Sequence, residues 1–169
     1  MITRVFEDQV YITAAPSGAP IVRQATEADV HAIAHIVNEN ARQGHLLPRS
    51  PEKIRHSLPH WLVAELNGVV VGIGSLVEMS PTLVEVRSLA VLPAYRSYGI
   101  GATIVRGLVE RARERGFPTV FALTRAVSFF ERLGFHVTDK ERFPEKVWTD
   151  CVVCPLQLAC DETAVAYEL

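Results

Sequence analysis

The segment Val91-Leu92-Pro93-Ala94-Tyr95-Arg96-Ser97-Tyr98-Gly99-Ile100-Gly101-Ala102 constrains the fold of this chain more than any other. It reads as the end of a strand, a turn, and a glycine-bearing loop that opens a helix. Pro93 stops the apolar run from Leu89 to Leu92, and Gly99 and Gly101 free the backbone for conformations that a Cβ would oppose. From Ile104 onward, Val105, Leu108, Val109 and Ala112 recur at helical spacing, with Arg106, Glu110, Arg111 and Arg113 on the other face. A helix start leaves N–H groups unpaired and carries a partial positive charge, so such a loop suits an anion, above all a phosphate. By itself the pattern is equally that of a tight strand-to-helix turn. It has neither the Gly-Lys-Ser/Thr of a Walker loop nor the third glycine of a dinucleotide fingerprint.

A second motif follows a strand-like run at residues 119–123: Arg125-Ala126-Val127-Ser128-Phe129-Phe130-Glu131-Arg132-Leu133-Gly134-Phe135. With the Arg-x-x-Gly-x-Gly order at Arg96 to Gly101, it resembles the GCN5-related N-acetyltransferase (GNAT) superfamily. The resemblance covers residues 21–169, leaving residues 1–20 as an N-terminal extension and linker. It implies an α/β (α+β) GNAT fold, a mixed and mostly antiparallel sheet with splayed central strands and helices on both faces. It implies acetyl-CoA as co-substrate, its pyrophosphate held by Arg96, Ser97, Tyr98, Gly99, Ile100, Gly101 and Ala102. The helix carrying Ser128 and Phe130 would line the cofactor's other side.

A chain of 169 residues fits one domain with an ordinary core. Its formal net charge of −2 gives it no electrostatic reason to sit on nucleic acid or anionic lipid. No apolar run approaches the ~20 residues that span a bilayer. The charged start, Met1-Ile2-Thr3-Arg4-Val5-Phe6-Glu7-Asp8, lacks the apolar core of a secretory signal, so a cytoplasmic location is expected. Cys151, Cys154 and Cys160 form an odd, clustered set, unlike a secreted disulfide framework. Cys-x-x-Cys with a third cysteine invites zinc, yet the second close pair of a structural zinc site is missing. The three are read as small buried hydrophobes in a terminal strand, with no metal expected. His31 and His35 share a helix face and are read as solvated surface.

Along the chain, residues 5–13 read as a strand or hairpin arm before the linker Ala14-Ala15-Pro16-Ser17-Gly18-Ala19-Pro20. Ile21-Val22-Arg23 reads as a strand. Thr26 and Asp29 look like a capping pair for a helix whose apolar face is Val30, Ile33, Ala34 and Val37. Ser50-Pro51-Glu52 looks like N-cap, first helical position and acidic first turn. Two strands flank Asn67-Gly68, a strong hairpin signal, and a third spans Leu83–Val91. The expected order is β, α, α, three strands, α, β, α, and a strand pair around residues 147–153. Apolar terminal strands and the N-terminal arm suit pairing across a two-fold axis into a homodimer.

Acetyl transfer from a thioester to an amine needs a held cofactor, a deprotonated amine, donors to the oxyanion and a leaving thiolate. The resemblance assigns most of this to the strand Leu83–Val91. Family members bulge here, parting this strand from the next so that the pantetheine arm slots between them. Leu89, Ala90 and Val91 occupy that place, and their backbone groups would bind the pantetheine and face the acetyl oxygen. Glu85 lies at a register where several family members keep a general base; the alternative is an exposed strand glutamate paired with Arg87. The position of the family's usual general-acid tyrosine is Phe130, which has no proton to give. Ser88, Ser128 and Thr124 are the alternative hydroxyls, and Ser88 is grouped with Glu85 as catalytic.

The run Gln43-Gly44-His45-Leu46-Leu47-Pro48-Arg49-Ser50, the strand Glu85-Val86-Arg87-Ser88-Leu89-Ala90-Val91 and the segment Lys146-Val147-Trp148-Thr149-Asp150-Cys151 resemble short, stand-alone bacterial N-acetylglutamate synthase acetyltransferases. That likeness implies L-glutamate as the acceptor and a place in arginine biosynthesis. Glutamate carries paired carboxylates, so its site needs several cations, arginines above all. Arg49 is the first choice and Arg87 the second, with Arg125 and Lys146 behind them. Two other readings stay open: a GNAT acting on another small amine (an antibiotic, a polyamine or another amino acid), and a non-catalytic acyl-CoA sensor or partner subunit.

Overall fold

The N–H of Thr26 donates to the Asp29 carboxylate at 2.7 Å, and a 3-10 turn over Glu27–Asp29 runs from this cap into the first helix. In the computed structural model, which describes residues 5–6, 9–10, 18–149, 151–154 and 160–169, short strands β1 (Val5–Phe6) and β2 (Gln9–Val10) pair antiparallel. Then come β3 (Ile21–Gln24), α1 (Val30–Arg42), α2 (Pro51–His56), β4 (Trp61–Leu66), β5 (Val69–Ser80) and β6 (Leu83–Val91). The chain continues through α3 (Ile100–Glu114), β7 (Thr119–Thr124), α4 (Val127–Glu131), β8 (His136–Thr138), α5 (Pro144–Thr149) and β9 (Thr163–Glu168). Seven strands form one sheet in the order β3-β4-β5-β6-β7-β9-β8, antiparallel throughout except for β6 with β7.

Both sheet faces are covered, and strand alternation sets which residues go where. In β4, Trp61 and Val63 join Ile33, Ile36 and Val37 of α1, whereas Leu62, Ala64 and Leu66 join Ile104 and Leu108 of α3. The expected mixed sheet with helices on both faces is therefore present. Asn67 (φ 51°) and Gly68 (φ 80°) make the tight β4–β5 turn, the twist that Asn-Gly supplies. Ser50 accepts the Lys53 N–H at 3.2 Å and caps α2, with Pro51 at its first position.

The expected strand pair around residues 147–153 is corrected. Pro144 opens helix α5 and Glu145 stands in its first turn, a start signal that outweighs the β-branched and aromatic residues after it. Cys151–Val153 form a 3-10 turn, so Cys151 and Cys154 are half-buried there and Cys160 is exposed; none lies in a terminal strand. The terminal strand is β9, which threads between β7 and β8. Asp150 and residues 155–159 of that C-terminal reading lie outside the described residues. Among the described residues, no group of three or more His, Cys, Asp or Glu is placed to hold a metal ion. No helix among them is long and apolar enough to cross a membrane.

Candidate active site

The site begins where β6 and β7 part. Leu83, Val84 and Glu85 pair in parallel with Thr119, Val120 and Phe121. Beyond them, β6 pairs with β5 alone and β7 with β9 alone, which opens a gap in the middle of the sheet. A bulge turns β6 at the same place. Ile73 faces Ala90 and Ser75 faces Arg87, so Ser88 and Leu89 together oppose Gly74. Ser88 takes the left-handed conformation, φ 55°, that lets the extra residue fit. The buried Ser75 hydroxyl donates to the Arg87 carbonyl at 3.0 Å and fastens the strand just before the bulge. The bulge reverses the alternation, so Ala90 reaches the α1 face and shares it with Glu85 and Arg87.

The opposite face of the bulge is fixed by close packing. A Cβ on Gly74 would stand 2.8 Å from Ile104 and 3.5 Å from Leu89; one on Gly72 would meet Ile104 and Ile100. Glycine at these places lets α3 approach β5, and Leu89 and Val91 pack against the same cluster. At the head of α3, Gly99 holds the N-cap with φ 78°, and Ser97 is also left-handed at φ 69°. Arg96, Ser97, Tyr98 and Gly99 are exposed, Ile100 is buried, and Gly101 and Ala102 are half-buried in the first turn. They thus form the open N-terminal end of a helix of ordinary length, where free amides favour an anion. Arg96 is turned back: its Nε donates to the Val91 carbonyl at 2.9 Å and its Nη2 to Asn40 Oδ1 at 3.4 Å.

Phe129 is the aromatic residue beside this turn, for a Cβ on Gly101 would lie 3.5 Å from its ring. Phe130 is buried, edge-on to both Phe129 and Phe135, and supports that wall from beneath. Ser128 is exposed on α4.

On the α1 face, Glu85 is 3% exposed and cations occupy both of its oxygens. Arg87 Nη2 lies 2.6 Å from Oε2, and Lys146 Nζ of α5 lies 3.0 Å from Oε1. Arg87 is thus on the same face as Glu85: the alternative's pairing with Arg87 is present, but the glutamate is buried and not exposed. Arg125, just after β7, donates to Asp161 at 2.7 Å and to the Gly44 carbonyl at 3.4 Å, joining the loop after α1 to the entry of β9. That ion pair raises the Arg125 pKa and lowers that of Asp161, the hydrogen bond between them being the main cause of each shift. Arg49 is half-buried on the same loop, which Asn38 of α1 holds through the Arg49 N–H and C=O at 3.2 and 2.9 Å. Glu162 follows Asp161, half-buried. The structure brings Arg87 and Lys146 together on Glu85 and ties Arg125 to the loop that carries Arg49. Ser75, Asn38, Asn40 and Glu162 carried no motif in the sequence; only the middle of a sheet face and a helix end brings them here.

The family model described as Acetyltransferase (GNAT) family matches residues 29–135. The chain belongs to that family. An uncharacterized N-acetyltransferase of Chlorobaculum tepidum is 39% identical over 91% of this chain and 99% of its own length. An amino-acid acetyltransferase of Mycobacterium tuberculosis is 39% identical over 69% of this chain and 68% of its own. An amino-acid acetyltransferase of Shewanella oneidensis is 29% identical, but this GNAT chain spans only 28% of its length. Among solved structures, a Mycobacterium tuberculosis protein in complex with CoA and NLQ is 31% identical over 89% of this chain and 99% of that one, with a TM-score of 0.77. N-acetylglutamate synthase from Neisseria gonorrhoeae, complexed with coenzyme A and N-acetyl-glutamate, has a TM-score of 0.80 over 92% of this chain and 36% of its own. At 24% identity that likeness shows the fold.

Proposed function

We propose that this GNAT acetyltransferase moves an acetyl group from acetyl-CoA to the amine of a small amino acid, L-glutamate, by direct attack and without an acyl-enzyme. The observation that carries the reading is the pair Arg87 and Lys146, two cations on one buried carboxylate beside the parted strands. Two cations gathered at one place suit a substrate that brings carboxylates. Arg125 and Arg49 supply further cations from the loop side, and relatives named amino-acid acetyltransferases support the same class.

Each group then has a task. The amides from Arg96 to Ala102 bind the diphosphate, with Arg96 exchanging its Val91 and Asn40 partners for it. Leu89, Ala90 and Val91 offer backbone groups along the gap to the pantetheine and to the oxygen of the thioester carbonyl. The helix α4 residues Ser128 and Phe130 close the cofactor side. Arg49, Arg87, Arg125 and Lys146 bind the acceptor's carboxylates. Ser88, held out on the bulge, donates to the departing sulfur in place of the missing tyrosine. Glu85, engaged at both oxygens, is better suited to holding its cations than to taking a proton from the amine.

A thiol-release assay with a panel of amines tests this reading. Release that depends on glutamate is expected. Release with basic amines alone would overturn the acceptor assignment, and none with any amine would favour a sensor.

A further inference from the structure

The chemistry above needs a group to take the first proton from the acceptor's ammonium, and Glu85 has a cation on each oxygen. Among the described residues, two further carboxylates, Asp161 and Glu162, stand by the same site. Glu162 directly precedes β9, in which Ala164 pairs with Leu123, and Ala164 shares its apolar cluster with Leu83, Phe121 and Phe143. Leu83 lies two residues from Glu85 on the same face of β6, so Glu162 enters the sheet on the acceptor face, at the open end of the gap. The charged groups around it come from four elements: Arg125 after β7, Lys140 of a 3-10 turn over Lys140–Arg142, Lys146 of α5 and Glu85 of β6, with Asp161 adjacent in the chain. Asp161 is committed to Arg125. Among the described residues, Glu162 makes neither a hydrogen bond nor an ion pair.

From this placement we propose that Glu162 is the general base of the acetyl transfer. This rests on the reading of the site as an acetyltransferase centre and names a residue which that reading leaves open. A half-buried carboxylate with no hydrogen-bond or ion-pair partner among the described residues, set among cations that hold the substrate's own carboxylates, offers lone pairs to an ammonium group. Burial, the largest influence, pushes its carboxyl above the usual range against Arg125, Lys140 and Lys146, and Glu85 adds to the rise. A base so shifted is better matched to an amine at neutral pH. Glu162 takes one proton from the ammonium. The freed lone pair forms the C–N bond at the thioester carbonyl, the C–S bond breaks, and the nitrogen's second proton passes to the thiolate sulfur. Glu162 then returns its proton to water.

The test compares pH profiles of the full chain, Glu162→Gln, Glu162→Asp and Glu85→Gln, with whichever panel amine the wild type uses best. The choice of amine keeps the base assignment separate from the glutamate assignment. For Glu162→Gln, kcat falls by on the order of 100-fold or more, affinity for CoA is kept, and the acidic limb of kcat/KM disappears. Glu162→Asp recovers part of the rate, while Glu85→Gln raises the acceptor KM and keeps the limb. A Glu162→Gln enzyme within threefold of wild type at every pH, or loss of the limb in Glu85→Gln alone, overturns the proposal. Absence of thiol release with every amine overturns it together with the reading it rests on.

Discussion

Lys146 Nζ stands 3.0 Å from Glu85 Oε1 and so ties helix α5, late in the chain, to the first half of strand β6. Arg87 holds the other oxygen at 2.6 Å, so a single buried carboxylate organises two cations that belong to different elements. In Lys146→Ala, Glu85 keeps only part of its compensation. The expected outcome is an acceptor KM raised about tenfold, near 1.4 kcal/mol, with affinity for CoA unchanged. Stability should fall by about 1–3 kcal/mol, the usual cost of an imperfectly paired buried group. Steady-state kinetics and urea unfolding measure the two effects separately.

Arg49→Ala tests the loop side. The Asn38 bonds hold the backbone of Arg49, and alanine keeps that backbone. The glutamate KM is expected to rise at least tenfold, about 1.4 kcal/mol, with the acetyl-CoA constant unmoved. If neither constant moves, Arg49 has no part in acceptor binding.

Gly74→Ala tests the packing behind the bulge. The added Cβ would lie 2.8 Å from Ile104 Cγ2 and 3.1 Å from Leu108 Cδ1, both in the core of α3. Overpacking of this kind costs about 1–3 kcal/mol. Because α3 carries the turn proposed to bind the diphosphate, its displacement should also weaken CoA binding, which calorimetry of the folded variant would register.

Asp29 gives a pH dependence of known sign. Its hydrogen bond to Arg23, 2.7 Å away, is the main reason its pKa lies below the ordinary 3.8, with burial opposing the shift. A carboxyl with a lowered folded-state pKa stabilises the fold above its unfolded value, and the contribution is lost as pH falls through the folded value. Asp29→Asn should therefore be less stable by about 1–3 kcal/mol at pH 7, with the difference shrinking toward pH 3. Urea titrations across that range check it.

The sequence shows local signals best. Asn67-Gly68, Ser50-Pro51 and the Arg96–Gly101 order each act through a few neighbouring residues, and each appears in the structure where it was read. Residues 147–153 look like a strand in composition, but Pro144 and Glu145 set a helix start just before them. The position of β9 between β7 and β8 depends on long-range pairing that no local pattern encodes. Glu85 is legible as a strand carboxylate at a register where family members keep a general base, but its burial and its second cation, from α5, cannot be read from β6 alone. Glu162 had no signal at all, since its place depends on where β9 enters the sheet.

The account stands on the exposed amides around Gly99 and the gap between β6 and β7 acting as one cofactor site. Titration calorimetry of CoA into the full chain tests this most directly. One saturable site per chain is expected, displaced by acetyl-CoA and weakened when Gly99 is replaced by valine, which disfavours the left-handed cap. No heat of binding, or binding indifferent to that substitution, would contradict it.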